Sequence, residues 1–134
     1  MDPRIWGPGA WLFLHSISLN YPHDPTERDK EDITNFFTLV GRLLPCFYCR
    51  DNYARHIKEF PIQTGSKKDL VYWLIDIHND VNKELGKPVL SRQEAMDKIL
   101  CMYRKQPQNP YAIHQLYLGF LVVLLLACVY AFTR

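Results

Sequence analysis

Apolar residues recur along the first hundred positions with helical spacing, and no stretch shows sustained strand-like alternation. Trp11, Leu14, His15 and Ser18 fall at i, i+3, i+4 and i+7, which predicts a first helix from about Pro8 to Asn20. Tyr21-Pro22-His23-Asp24-Pro25 ends it, since proline cannot continue a helix. Ile33, Phe36, Phe37, Val40, Leu43 and Leu44 carry a second helix, with Thr26 and Asp29 arranged as an N-cap and Pro45 as the stop. A third helix is predicted from about Cys46 to Phe60, with Tyr53, Ile57 and Phe60 as its apolar face and Pro61 to Gly65 as the loop that follows. Ser66, with Asp69 three residues on, caps a fourth helix whose body is LVYWLIDIHNDVNKEL and whose end is marked by Gly86 and then Pro88. Ser91-Arg92-Gln93-Glu94 is a capping box for a fifth helix to about Arg104. The soluble part therefore reads as an all-helical bundle, an architecture whose facing helices can hold a cofactor.

The pattern changes after Lys105. Gln106 to Pro110 reads as a linker, and Leu116 to Phe132 is an unbroken apolar and aromatic run, LYLGFLVVLLLACVYAF. As a helix that run is about 25 Å long, and Ala112 and Ile113 extend it towards the roughly 30 Å of a bilayer core. Tyr117 and Tyr130 stand near its two ends, where interfacial aromatics are favoured. The competing reading is a buried core helix. The predicted organisation is a domain over residues 1–105, a linker over 106–112 and a C-terminal transmembrane anchor over 113–133. Arg104 and Lys105 before the span, against Arg134 after it, favour the domain lying on the cytoplasmic side. The start MDPRIWGPGAW has no apolar core of signal-peptide length and no small-residue cleavage site, and neither end carries a lipidation motif.

Net charge is +2, too weak a field to suggest a nucleic-acid partner. Of the four cysteines, Cys46, Cys49, Cys101 and Cys128, only the first two are close, unlike a secreted domain stapled by disulfides. In Pro45-Cys46-Phe47-Tyr48-Cys49 the spacing lets both sulfurs reach one disulfide or one metal. At a helix start the first thiol feels the unpaired N–H groups and the positive dipole end, which favours thiolate, and Arg50 adds a positive charge. A thioredoxin-like pair needs a βαβ setting, and the strands are missing. A zinc site needs four ligands; His56 is a candidate third and no fourth is evident, so no metal is expected. A structural disulfide is unusual on a cytosolic face. A redox pair in a helical bundle needs somewhere to send its electrons, and that implies a cofactor.

These residues carry a family resemblance. Trp6-Gly7-Pro8, Trp11, Leu14-His15 and Tyr21-Pro22, then Pro45-Cys46-x-x-Cys49, then His78-Asn79-x-Val81-Asn82-x-x-Leu85-Gly86-Lys87-Pro88, resemble in order the motifs of the Erv/ALR family of FAD-linked sulfhydryl oxidases, over residues 4 to about 105. The compact length and the MDPRIWGP start are most similar to the forms carried by large cytoplasmic DNA viruses. The resemblance implies a four-helix bundle around FAD, a short fifth helix and a homodimer. It also implies oxidation of protein dithiols to disulfides, with O2 as acceptor and H2O2 as product. By position, Cys46 would exchange with substrate and Cys49 would lie against the flavin. Trp11, His15, His78, Asn79, Val81, Asn82, Leu85 and Lys87 would line the cofactor, with Arg4, Gly7 and Tyr103 as further candidates. Helix geometry agrees for the last motif: His78, Val81, Asn82 and Leu85 share one face, Trp11 and His15 share another, and two polar-bearing inward faces are costly unless something polar lies between them. Lys87 suits a phosphate. The bland readings are ordinary core for Trp11, Trp73, Val81 and Leu85, a hydrogen-bonded core histidine for His15, and solvated positions for Asn79 and Asn82.

The chain departs from the family pattern in two places. The positions of a second disulfide found in many members correspond to Ile75 and Arg92, so that staple is missing. No second cysteine pair is present to shuttle electrons: Cys101 reads as a buried inert thiol on the fifth helix and Cys128 as a membrane-facing residue. The expected substrate is therefore another protein with its own dithiol, such as a thioredoxin-like carrier, and the expected location is a virion or host internal membrane. The rival functions are a non-enzymatic membrane adaptor whose CxxC binds zinc or braces a turn, and a cofactor-free thiol–disulfide isomerase.

Overall fold

A computed structural model describes residues 1–104 and 112–132 of the chain. Every regular element among the described residues is a helix: α1 (Pro3–Asn20), α2 (Glu27–Leu43), α3 (Phe47–Glu59), α4 (Lys67–Glu84), α5 (Arg92–Arg104) and α6 (Ala112–Phe132). The chain divides into two units, the first being Met1–Ile99; α6 belongs to the second.

Local chemistry accounts for the helix ends. Thr26 and Asp29 form a reciprocal capping box on α2. The Ser66 hydroxyl accepts from Asp69 N–H at 3.2 Å at the start of α4, and Ser91 and Glu94 cap α5 in both directions. At the end of α4, Gly86 takes a positive φ of 64°, its N–H reaches the Lys83 carbonyl and the Lys87 N–H reaches the Asn82 carbonyl at 2.8 Å. This is a Schellman closure, which only a residue without Cβ enters without strain.

The first helix begins earlier than its apolar periodicity predicts. Asp2 caps it by accepting from the Arg4 N–H at 2.9 Å, and Pro3 supplies a preset φ in the first turn. Pro8 is consequently inside α1, where the helix tolerates the loss of the one bond its nitrogen would have made to Arg4.

Four helices share one core. Leu14 and Tyr21 of the α1 segment, Ile33 and Phe37 of α2, and Leu70, Trp73, Leu74 and Ile77 of α4 are buried together, and Ile57 of α3 packs against them. Phe60 is half exposed instead of completing the α3 face, and its carbonyl accepts from Trp73 Nε1 at 2.9 Å. Gly41 of α2 is buried against α3: a Cβ there would overlap the Tyr53 ring. A second cluster joins Val71 and Ile75 of α4 to Ile99 of α5. Ile75 is therefore core, while Arg92 makes a bidentate pair with Asp76 (2.6 and 3.1 Å) and lies over the Tyr72 ring. These contacts tie α4 to α5 without a disulfide.

Cys101 is exposed, which corrects the expectation of a buried thiol. Ile99, Ala95 and Met96 form the inward stripe of α5, and Cys101, two residues past Ile99, falls on the opposite side. The segment expected to be a linker lies almost wholly outside the described residues. Among the described residues no helix is long and apolar enough to cross a membrane.

Candidate active site

Cys46 and Cys49 are joined as a disulfide at the α2–α3 corner. Leu44 and Pro45 stop α2, Cys46 is the extended N-cap of α3, and its Sγ accepts from the Cys49 backbone N–H at 3.2 Å. The first sulfur thus occupies the place of a capping oxygen, where helix N–H groups stabilise negative charge. Cys46 and Cys49 are both half-buried, whereas Phe47 and Tyr48 between them are exposed. The Met1 nitrogen bonds to the Pro45 carbonyl at 3.2 Å, which brings the start of the chain to this corner.

A second constellation lies between α1 and α4. The Trp11 indole and the His78 imidazole are stacked, 3.9 Å between centroids and 5° from parallel. His15 Nε2 is 3.1 Å from His78 Nδ1, so one of the two donates and the other accepts. Burial pushes His15 down to about 4; His78 is also lowered to about 4, by burial first and then by the positive charges of His15, Lys87 and Lys98. Both rings are therefore neutral at neutral pH. His15 Nδ1 and Trp6 Nε1 are buried without a hydrogen-bond partner, and Gly7, one turn before Trp11, is buried although a Cβ there would meet nothing within 4 Å. Unpartnered buried polar atoms cost free energy. Stacked rings, orphaned nitrogens and open space at a buried glycine fit an aromatic, hydrogen-bonding cofactor.

The remaining candidates divide. Val81 and Asn82 continue the His78 face of α4 and are half-buried, and Lys87 is held beside them by its backbone bond to Asn82. Leu85 is the C-cap of α4 and exposed. Arg4 is exposed and paired with Asp2. Asn79 is used otherwise: its amide donates to the Leu90 carbonyl at 2.7 Å and accepts from the Leu90 N–H at 3.1 Å, so it clasps the loop before α5. Tyr103 stands on the last turn of α5, in the second unit.

Periodicity did not reveal a polar cluster linking α3 to α4. His56 is fully buried, with Nδ1 2.7 Å from Asp80 Oδ2 and Nε2 3.7 Å from Glu84 Oε1, at ion-pair distances although neither nitrogen has hydrogen-bond alignment. Asn52 donates to Glu84 at 2.9 Å, and Arg55 pairs with the same carboxylate. The available signal was that Cys49, Asn52, Tyr53 and His56 fall at i, i+3, i+4 and i+7 on one face of α3. Among the described residues no three His, Cys, Asp or Glu side chains are arranged to hold a metal ion. An open groove of about 510 Å³ between α1 and α2 includes Ser16, Asn20, Asp32 and Phe36 and none of the candidate cofactor residues. The reactive sulfurs are those of the Cys46–Cys49 disulfide, and beside the Trp11–His78 stack the unpartnered buried atoms are His15 Nδ1 and Trp6 Nε1.

Comparison with known proteins places this geometry in context. The model of the Erv1 / Alr family matches residues 8–100. A probable FAD-linked sulfhydryl oxidase of Acanthamoeba polyphaga mimivirus is 43% identical over 102 residues, which cover 74% of this chain and 71% of that protein. The mitochondrial FAD-linked sulfhydryl oxidase ERV1 of Saccharomyces cerevisiae is 34% identical over 87 residues, 65% of this chain but only 46% of its own length. The crystal structure of the FAD binding domain of the yeast Erv1 superposes with a TM-score of 0.68 at 32% identity, covering 69% of this chain and 89% of that one.

Proposed function

Because the chain belongs to the Erv1 / Alr family, we propose that it is an FAD-linked sulfhydryl oxidase that forms disulfides in protein substrates with O2 as acceptor. The observation that carries this reading is a disulfide at a helix N-cap in the same bundle as the unsatisfied Trp11–His78–His15 face.

The thiol chemistry follows from the Cys46–Cys49 geometry. A substrate thiolate attacks Cys46 Sγ, the Cys46–Cys49 bond breaks, and Cys49 leaves as thiolate. The second substrate thiol loses its proton and attacks the substrate sulfur of the mixed disulfide, which releases Cys46 as thiolate and the product as a disulfide. Cys46 is suited to that release because the Cys49 N–H and the α3 dipole stabilise its charge, and a stabilised thiolate leaves faster. Two electrons then reside in the Cys46/Cys49 dithiol.

Trp11, His15, His78, Val81 and Asn82 would hold FAD, with Trp6 Nε1 and His15 Nδ1 as free polar atoms and Lys87 as a phosphate partner. The chemistry FAD supplies when bound is acceptance of the electron pair and its delivery to O2, giving hydrogen peroxide. The neutral His15 and His78 pair places a stacking surface and one shared hydrogen bond there without adding charge.

The second unit contributes a membrane anchor in this reading. Its support is the uncharged apolar run of the sequence from Leu116 to Phe132, which Ala112 and Ile113 extend. The charges at Arg104 and Lys105 favour a cytoplasmic oxidase domain, on a virion or internal membrane. Homodimer formation rests on family resemblance alone. The enzymatic reading is tested by dithiol-dependent oxygen uptake of the detergent-solubilised full chain. Wild type should consume oxygen and release peroxide, and Cys46→Ser/Cys49→Ser should do neither; turnover retained in that double variant contradicts the mechanism.

A further inference from the structure

The rings beside the reactive sulfurs are left uncovered. Phe47 and Tyr48 are 73% and 68% exposed, more than Phe13 at 59% or Phe60 at 50%, and Leu43 across the corner is 75% exposed. The bundle has an apolar core that takes up Phe37 completely, so leaving three large apolar groups in water within six residues is a cost the fold does not recover internally. Arg50 lies over the Phe47 ring at 6.0 Å, which keeps a cation beside the apolar surface.

The charge of this corner leans positive. Between Leu39 and Arg50 the only charged side chains are Arg42 and Arg50, both exposed. Asp2, brought near by the Met1–Pro45 bond, is already neutralised by a bidentate contact with Arg4. Asp51 is the first carboxylate after Arg50. A positive surface favours approach of thiolates and of acidic chains.

We propose that Leu43, Phe47 and Tyr48, flanked by Arg42 and Arg50, form the docking surface for an extended cysteine-bearing segment of a substrate protein. The segment places an apolar side chain next to its attacking thiol and acidic side chains on the flanks. The proposal rests on the thiol-oxidase reading and adds what its substrate presents. Apolar contact with Phe47 and Tyr48 brings the substrate sulfur over Cys46, and exchange then proceeds by the balanced two-step displacement given above. Small dithiols lack these flanks and react without this help.

The test uses the full chain in detergent micelles, oxygen uptake as the readout, and four two-cysteine peptides. Their flanks combine Leu or Ser beside the first cysteine with Glu or Lys further out; dithiothreitol is the reference. The Leu/Glu peptide should have a KM at least about tenfold below that of the Ser/Lys peptide, and the Glu-over-Lys preference should shrink as salt rises and screens the arginines. In Leu43→Ser/Phe47→Ser, checked for native circular dichroism, the KM of the Leu peptides should rise towards that of the Ser peptides while kcat holds. Equal KM values for all four peptides within twofold, or a Leu preference that survives in the double variant, overturn the docking surface. Oxidation of dithiothreitol by wild type separates the two ideas. If it fails, the oxidase reading fails; if it proceeds while the peptides are indistinguishable, only the docking surface does.

Discussion

Acidification should loosen the α1–α4 face, and its magnitude can be worked from two side chains. His15 is 3% exposed, and both His15 and His78 are lowered from 6.5 to about 4 in the folded protein. In the unfolded chain each titrates near its ordinary value. As pH falls below that value the unfolded state takes up protons that the folded state refuses, so stability is present above about 6.5 and is lost progressively down to the folded pKa. Between pH 7 and pH 5 a single ring with these two values costs about 2 kcal/mol by linkage. The two rings share one hydrogen bond that is lost when the accepting ring is protonated, and a charge on one ring opposes a charge on the other, so the pair is expected to give roughly 2–4 kcal/mol and not more. Urea unfolding at the two pH values, followed by far-UV circular dichroism, measures it, with His15→Gln/His78→Gln as the reference that removes the titrating rings. The wild type should lose at least about 2 kcal/mol more than the reference on going to pH 5. A histidine NMR titration supplies the direct check: neither ring should protonate above about pH 5. Equal losses in the two proteins, or an imidazole titrating at its ordinary value, refute the buried neutral pair.

Other expectations follow from individual contacts. Gly41→Ala gains about 1 kcal/mol of helix propensity but drives a methyl into the buried Tyr53 ring, and overpacking costs of about 1–3 kcal/mol should prevail; a raised melting temperature would show that α2 and α3 are not so closely set. Asn79→Ala leaves the Leu90 N–H and carbonyl without their partner and should cost roughly 1–3 kcal/mol, with raised amide exchange at Leu90. Unchanged exchange at Leu90 counts against the clasp. Cys49→Ser should trap substrate as a mixed disulfide through Cys46, seen on non-reducing gels and by mass mapping. Trapping that occurs only through Cys49, in a Cys46→Ser chain, reverses the assigned roles.

Much of this arrangement is legible in the linear chain because it is written in short-range chemistry. Thr26/Asp29, Ser66/Asp69, Ser91/Glu94 and Gly86 mark helix ends through contacts spanning three to five residues, and all four recur as hydrogen-bonded closures or a left-handed turn. The start of α1 was less legible, since apolar periodicity begins only at Trp11 while Asp2 and Pro3 cap the helix a full two turns earlier. Long-range pairing is where periodicity runs out. Nothing local says that His56 of α3 will meet Asp80 and Glu84 of α4, or that Asn79, on the candidate cofactor helix, will turn to Leu90. Cys101 was misread because a lone thiol is usually buried, whereas its angular distance from Ile99 decided the matter. The candidate cofactor face is proposed from a pair of motifs, and the structure adds what the motifs lack: the Trp11–His78 stack and, beside it, two buried nitrogens with no partner.

The most direct measurement is the visible spectrum of the purified full chain, before and after anaerobic addition of a dithiol. The account predicts a yellow protein with a flavin band at about 450 nm that bleaches with dithiol in wild type and persists in Cys46→Ser/Cys49→Ser. A folded wild-type protein that is colourless and stays so when FAD is supplied would contradict it.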